Sequence, residues 1–453
     1  MAGLWFETAL LPDGLASSVR VEHAGGVITA VQQDVAPAPG DERHTIGVPG
    51  LANVHSHAFQ RGMAGLAETS GPASDDFWTW REVMYRFLDH MTPEDLEAIT
   101  AFAFAEMLQA GFTRVGEFHY VHHDPAGLPY ADIGELSARV ASAASATGIG
   151  LTLLPVFYAH SDFGGAPPKP GQRRFINDVT GFARLYEAAK RAIDGLDRAN
   201  IGVAPHSLRA VTPQELGAVV ELAPNGPVHI HAAEQTREVE ACVAWRGQRP
   251  VEWLLDHAGV DHRWCLIHTT HLTADEINRL ARSGAVAGLC PITEANLGDG
   301  VFPAQTFLAA GGRFGVGTDS NILVDAAGEL RALEYAQRLT LRGRNILAGE
   351  AHASTGGRLY RSALCGGAQA LGVAPSRIAP GGAADLVSLD GRNAAFIGRS
   401  GDALLDGWIF TGGAGAIDCV WRGGKKVVEQ GRHHRSEEVH AAYRRTLTRL
   451  LAQ

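Results

Sequence analysis

No apolar run in the 453 residues approaches the roughly 18 that a membrane span requires. A membrane-spanning helix is therefore not expected, nor is a membrane partner. The opening residues, MAGLWFETALLPDG, lack a basic segment and carry Glu7 and Asp13, so no secretory signal is read there and a cytoplasmic location is expected. Cysteine is sparse and odd in number: Cys242, Cys265, Cys290, Cys365 and Cys419 show no metal-site spacing. Reduced, buried thiols account for them better than disulfides. Positive charge is in deficit, with a formal net charge of −10, which argues against nucleic acid as a partner. An anionic small substrate stays compatible with that charge, because a few local arginines set the potential of a pocket. No glycine-rich phosphate loop follows the first strand of the central region, so a dinucleotide-binding fold has little support.

The length allows a large barrel plus a smaller domain. The first ~45 residues read as short strands: LWFETALL and SVRVEHAGGVITAVQQD alternate and turn at PDG and AGG. The end of the chain echoes them in AADLVSLD and AIDCVWRGGKKVVEQGRH, broken at Gly423–Gly424. Neither terminal piece has enough apolar surface for a core of its own. Pairing into one small β-domain is expected, the alternative being two independent edge ribbons. Between them, eight apolar segments end in polar residues: GLANVHSHA (50–58), TRVGEFHY (113–120), GLTLLPVFYAH (150–160), IGVAPHSLR (201–209), PVHIHAAE (227–234), WCLIHTTH (264–271), AVAGLCPIT (285–293) and RFGVGTDSN (313–321). Helix starts lie between several of them. Thr92-Pro93-Glu94-Asp95 combines an N-cap, a proline at N1 and first-turn acids. Thr212–Glu215 and Thr273–Glu276 read as capping boxes, with Gly111 and Gly284 as C-terminal stops. Eight strand–helix units favour a (β/α)8 TIM barrel over an open sheet. The expected organisation is α/β: a β-sandwich part at 1–47, a barrel at 48–375, and the second β-sandwich part with a C-terminal helix at 376–453. The Pro- and Gly-rich stretch 161–175 reads as a long loop over the barrel mouth.

In such a barrel the chemistry sits at the C-terminal strand ends, which is where histidines and acids collect. His55 and His57 close the first segment, and residues at i and i+2 on a strand point to one side, a natural start for a metal site. His229-Ile230-His231 ends the fifth and leads to Glu234. His231 is preferred to His229 as a ligand because it stands nearer the strand end. His268 ends the sixth and Asp319 the eighth. These ends converge on one point at the mouth. His90, His433 and His434 are expected to be solvent-exposed.

PGLANVHSH, HIHAAE, His268, VGTDS and the tail GGAADLVSLD together resemble the amidohydrolase superfamily, in the deaminase branch that includes cytosine and guanine deaminases. The resemblance spans nearly the whole chain, the split β-domain included. It implies one divalent metal ion, held by His55, His57, His231 and Asp319. Imidazole and carboxylate suit zinc, although iron and manganese accept similar sites. A two-metal site, bridged in another branch by a carboxylated lysine ending the fourth strand, is disfavoured. That strand ends Ala204-Pro205-His206, and Lys169, Lys190, Lys425 and Lys426 are the only lysines. A metal held there lowers the pKa of water toward neutrality. Asp319 is then the acceptor of the water's proton, His268 a hydrogen-bonding partner of the water or the tetrahedral centre, and Glu234 the shuttle that protonates the leaving nitrogen.

HAFQRGMAGL, FWTWREVMYRF, GEFHYVHHD and APHSLRAVTP are most similar to those members of the branch that hydrolyse N-formimidoyl-L-glutamate to N-formyl-L-glutamate and ammonia in histidine degradation. A small dicarboxylate needs fixed cations and donors, and arginine binds carboxylate bidentately. Arg209, beside His206, and Arg81 are the candidates, with Gln60 and Tyr120 as further donors. Phe77, Trp78 and Trp80 are expected in core or interface packing, with closing the site as an alternative. A deaminase of a purine or related heterocycle and a metal-free scaffold are the competing readings. The resemblance also suggests a homodimer.

Overall fold

The computed structural model describes residues 3–70 and 75–452. The chain opens with four strands, β1 (Leu4–Leu11), β2 (Gly14–Ala24), β3 (Val27–Gln32) and β4 (Glu42–Pro49). All eight central segments then form strands: β5 (Leu51–Ser56), β6 (Phe112–His119), β7 (Gly150–Phe157), β8 (Asn200–Ile201) with β9 (Ala204–Pro205), β10 (Val228–Ala232), β11 (Trp264–His268), β12 (Val286–Leu289) and β13 (Arg313–Val316). The last four are β14 (Leu386–Leu389), β15 (Ile417–Arg422), β16 (Lys425–Glu429) and β17 (Arg432–His433).

The terminal strands share one eight-stranded sheet in the order β17-β16-β15-β14-β4-β1-β2-β3. Its seam is β4 against β14, antiparallel, with Val48 opposite Val387 and Ile46 opposite Leu389. Alternation divides the apolar residues. Val48, Val387, Val420 and Val428 join the main core shared with the barrel. Phe6, Val19, Val21, Leu386 and Trp421 build a second, local core. Arg422 crosses between the layers: its guanidinium lies 3.1 Å from Asp385 and also reaches Asp197.

The central strands are parallel and hydrophobic on both faces, as a helix-covered sheet requires; β6 and β7 are buried at every position. The fourth position is weak. Its segment forms two two-residue pieces, β8 and β9, and Pro205 lacks an N–H to give the ladder. The ring closes through backbone. Thr318 N and Asp319 N donate to His55 O, and His57 N donates to Asp319 O. Bridges Val203–Val228 and Ser207–His231 join the fourth position to β10. Below the site, helix Thr355–Ala370 approaches β13 so closely that a Cβ on Gly366 would stand 1.9 Å from Phe314 O. The carbonyl of Ala370 accepts from His229 Nε2 at 2.7 Å.

Helix starts follow the capping chemistry. Thr92 with Asp95, Thr212 with Glu215 and Thr273 with Glu276 form reciprocal boxes, and Gly284 ends its helix at φ 79°. The C-terminal helix Ser436–Leu450 packs on helix Pro93–Gln109, where Tyr443 stacks on Phe102 at 3.9 Å. Loop 161–175 covers the mouth. Arg174 donates to Met91 O at 3.0 Å and His123 O at 2.9 Å, and Gln172 to the Tyr158 hydroxyl at 2.8 Å.

Two expectations are corrected. His433 is buried, because its Nε2 donates to Thr147 O at 2.9 Å where β17 lies over the barrel; His90 and His434 are exposed. Cys365 is exposed on the outer side of its helix, whereas Cys242, Cys265, Cys290 and Cys419 are buried, and all five are free thiols. Among the described residues no helix is long and apolar enough to cross a membrane.

Arg422→Met leaves Asp385 buried without its cation. The expected cost is about 3–5 kcal/mol, read as a lowered denaturant midpoint against wild type.

Candidate active site

The ring closure described above carries side chains with it. His55 and His57 at the end of β5, His231 on β10 and Asp319 just past β13 bring one ligand atom each to within 4.8 Å of one another. His55 Nε2 lies 3.1 Å from His231 Nε2, and Asp319 Oδ1 lies 3.3 Å from both His55 Nε2 and His57 Nε2. The far side of two rings is committed: His57 Nδ1 donates to Phe118 O and His231 Nδ1 to His206 O, each at 3.0 Å. Neutral rings so arranged present lone pairs at Nε2. Burial lowers the basicity of all three imidazoles, for His55 and His231 well below the ordinary histidine range. Neutral nitrogen lone pairs facing one another and a carboxylate repel, and a cation reconciles them. The donor set therefore fits one divalent metal ion.

Asp319 reaches this point at φ 44° and His268 at φ 67°, in the left-handed region. Such residues store about 1–3 kcal/mol each and need surroundings that hold them. Asn321 does part of this. Its Nδ2 donates to Ser56 Oγ at 3.1 Å and His57 O at 3.2 Å, while its Oδ1 accepts from Thr318 Oγ1 at 2.6 Å.

His268 stands between carboxyls. Its Nδ1 is 3.2 Å from Glu294 Oε1, and its Nε2 is 3.6 Å from Glu234 Oε1 and 3.8 Å from Asp319 Oδ2. Burial opposes its charge, but Glu234, Glu294 and Asp319 outweigh that and hold it well above the ordinary histidine range. Burial, with Asp319, pushes the Glu234 carboxyl up to about 7 although His268 and Arg209 pull it down. That is a value suited to proton transfer near neutrality.

Gln60, Arg81, Tyr120, His206 and Arg209 all line the cavity above these groups. Gln60 Nε2 donates to the Tyr120 hydroxyl at 2.7 Å, and His206 Nδ1 lies 3.1 Å from Ser207 Oγ. Arg81 Nε and Arg209 Nε are buried without a hydrogen-bond partner, and neither guanidinium has an ion pair among the described residues. Among the described residues no lysine lines the cavity. Phe77 and Trp80, expected in packing, face the cavity from helix Phe77–Leu88. Trp80 also packs against the main core, as expected, so that helix serves both the core and the pocket. His229 points away, to Ala370 O.

Four residues escaped the sequence reading. Glu294 and Asp299 follow β12, on the rim where chemistry collects. Burial, with Glu234, pushes the Asp299 carboxyl up to about 9. Two acids after a strand end were the available signal. Arg237 follows Glu234 by three residues. Glu117 looks like an ordinary strand residue, yet it accepts from Ala58 N at 2.7 Å beneath the histidine pair, and burial pushes its carboxyl up to about 8.

With fold and geometry established, comparison with known proteins gives the class. Residues 46–427 match the amidohydrolase family, and the chain belongs to it. Residues 2–45 match the N-terminal domain of formimidoylglutamate deiminase HutF. The chain is 50% identical to the formimidoylglutamate deiminase of Pseudomonas aeruginosa, over 100% of both chains. It is 30% identical to a 5-methylthioadenosine/S-adenosylhomocysteine deaminase of Natronomonas pharaonis, over 77% of this chain and 74% of that one. An amidohydrolase crystal structure from Brucella melitensis superposes with a TM-score of 0.96 at 54% identity, over 100% of both chains. The fold also matches a zinc-bound adenosine deaminase from Xanthomonas campestris, with a TM-score of 0.82 at 24% identity, over 100% of this chain and 99% of that one.

Elemental analysis of purified protein is expected to find about one divalent ion per chain, and His231→Ala to retain well under that. Glu117 supplies a pH signature. A carboxyl raised in the folded state stabilises most below its unfolded value of about 4.3, and the benefit fades as pH rises through about 8. Glu117→Gln should therefore gain on wild type between pH 5 and pH 8, by on the order of 3 kcal/mol, measured as the change in unfolding free-energy difference.

Proposed function

We propose that the chain hydrolyses N-formimidoyl-L-glutamate, a linear amidine, to N-formyl-L-glutamate and ammonia. The observation that carries this reading is the polarity of one pocket. Carboxyls and a cation-type donor set lie at its floor, and Arg81 and Arg209 lie above, neither of them in an ion pair among the described residues. A molecule with an amidine at one end and two carboxylates at the other complements both. The full-length 50% identity to a formimidoylglutamate deiminase supports the same substrate.

When bound at His55, His57, His231 and Asp319, the metal ion supplies Lewis-acid activation of water. Zinc is the proposed ion, on the strength of imidazole and carboxylate donors. Asp319 accepts the proton that the attacking water gives up. Cationic His268 stabilises the negative charge that develops on the oxygen. Glu234 delivers a proton to the departing nitrogen, so ammonia leaves rather than an amide anion, and the C–N bond is replaced by C–O. Arg209 and Arg81 hold the two carboxylates bidentately, with Gln60, Tyr120 and His206 as further donors that fix the substrate's depth. The aromatic roof of Phe77 and Trp80 excludes water from the closed site.

A heterocycle deaminase on this scaffold has less call for two arginines that line the pocket without an ion pair among the described residues. A coupled ammonia assay with N-formimidoyl-L-glutamate beside guanine and cytosine separates the readings. Release from the amidine alone is expected, and release from either base alone overturns the substrate. Asp319→Asn and Glu234→Gln are expected to abolish turnover with the fold intact by circular dichroism. Near-normal turnover by either removes its role. Arg209→Ala is expected to weaken substrate binding by about 2–5 kcal/mol, seen as a raised KM.

A further inference from the structure

Three guanidinium groups meet around one indole. The Trp78 ring centroid lies 4.4 Å from the Arg81 guanidinium carbon, 4.6 Å from that of Arg237 and 5.4 Å from that of Arg209. They come from three elements: Arg81 from the same helix as Trp78, Arg209 from the end of the fourth barrel position, and Arg237 from the first turn of helix Thr236–Arg246. None of the three makes a hydrogen bond or ion pair to a carboxylate among the described residues. The Nε atoms of Arg81 and Arg209 are buried and unpartnered. Like charges so close repel, and the indole faces offset only part of that. Glu238 and Glu234 act on Arg209 from within the chain, but no carboxylate pairs with Arg81 or Arg237 among the described residues, which leaves the cluster open to anions from outside.

Two anions are accounted for by the substrate reading, on which this inference rests. Arg237 is the cation left over. It is exposed, whereas Arg209 is buried, and it lies on the same loop-to-helix turn as Glu234. We infer that Arg237, seated on Trp78, forms an outer carboxylate subsite at the pocket mouth, which captures the dicarboxylate and passes it inward to Arg81 and Arg209. Trp78 is the spacer that keeps the outer cation within reach of the inner two. A field focused at a cleft mouth raises the capture rate of an oppositely charged ligand, and salt screens the effect.

The test is steady-state kinetics of Arg237→Gln, Arg237→Glu, Arg237→Lys and Trp78→Ala with N-formimidoyl-L-glutamate, from low to high ionic strength. Arg237→Gln is expected to lower kcat/KM by roughly tenfold at low salt, with kcat kept and the gap narrowing as salt rises. Arg237→Glu should fall further, Arg237→Lys should recover most of the loss, and Trp78→Ala should resemble Arg237→Gln. A wild-type kcat/KM in Arg237→Gln at every ionic strength overturns the subsite, as does an equal fall in kcat or a gap that salt leaves unchanged. Calorimetric binding of glutarate to wild type and Arg237→Gln reads the subsite without turnover. If wild type releases no ammonia from the amidine, the function reading fails. A salt-sensitive glutarate affinity that Arg237→Gln weakens then still supports the subsite, and unaltered affinity overturns it.

Discussion

The barrel mouth answers to one electrostatic demand: nitrogen lone pairs and a carboxylate oxygen are held within 3.1–3.3 Å of one another. The backbone pays for the approach, because the bonds between Asp319 and the His55–His57 segment are also the bonds that close the barrel. The candidate metal site and the ring closure are thus one construction. Loosening the β5–β13 seam would open the barrel and spread the donors together. This explains the investment in Asn53, Thr318 and Asn321, a buried polar network whose members bond one another around the seam. Fully satisfied networks of this kind specify one geometry.

A second layer of charge sits beside the first. His268 is surrounded by Glu234, Glu294 and Asp319, with Asp299 behind. Several buried carboxyls near one imidazolium cannot all be ionised. The shifts of Glu234 to about 7 and Asp299 to about 9 express that competition. The pocket is therefore polarised along its depth, acidic at the floor and arginine-rich above. The charge of the whole chain, −10, says nothing of this local order.

The strand-end residues were legible in the sequence for a physical reason. His55, His57, His231, His268 and Asp319 each close an apolar run, and parallel barrels place such closures on one rim. Capping boxes at Thr92, Thr212 and Thr273 were legible because the chemistry is local and spaced by three. What stayed hidden depends on tertiary placement. That Phe77 and Trp80 line a pocket, besides any packing they do, shows only once helix Phe77–Leu88 is laid across it. Arg237 reads as a solvated helix residue until Trp78 arrives from more than 150 residues away. His433 was misread because two adjacent histidines near a terminus resemble surface, whereas only the turn of β16 into β17 decides which ring goes inward.

The seam between β4 and β14 sets a timetable for synthesis. Val48 must wait for Val387, roughly 340 residues later. At about 5–20 residues per second, that delay is tens of seconds. Throughout it, the N-terminal ribbon carries an open hydrogen-bonding edge of the kind that recruits other chains. Newly made polypeptide is thus most exposed to mispairing before its final fifth leaves the ribosome.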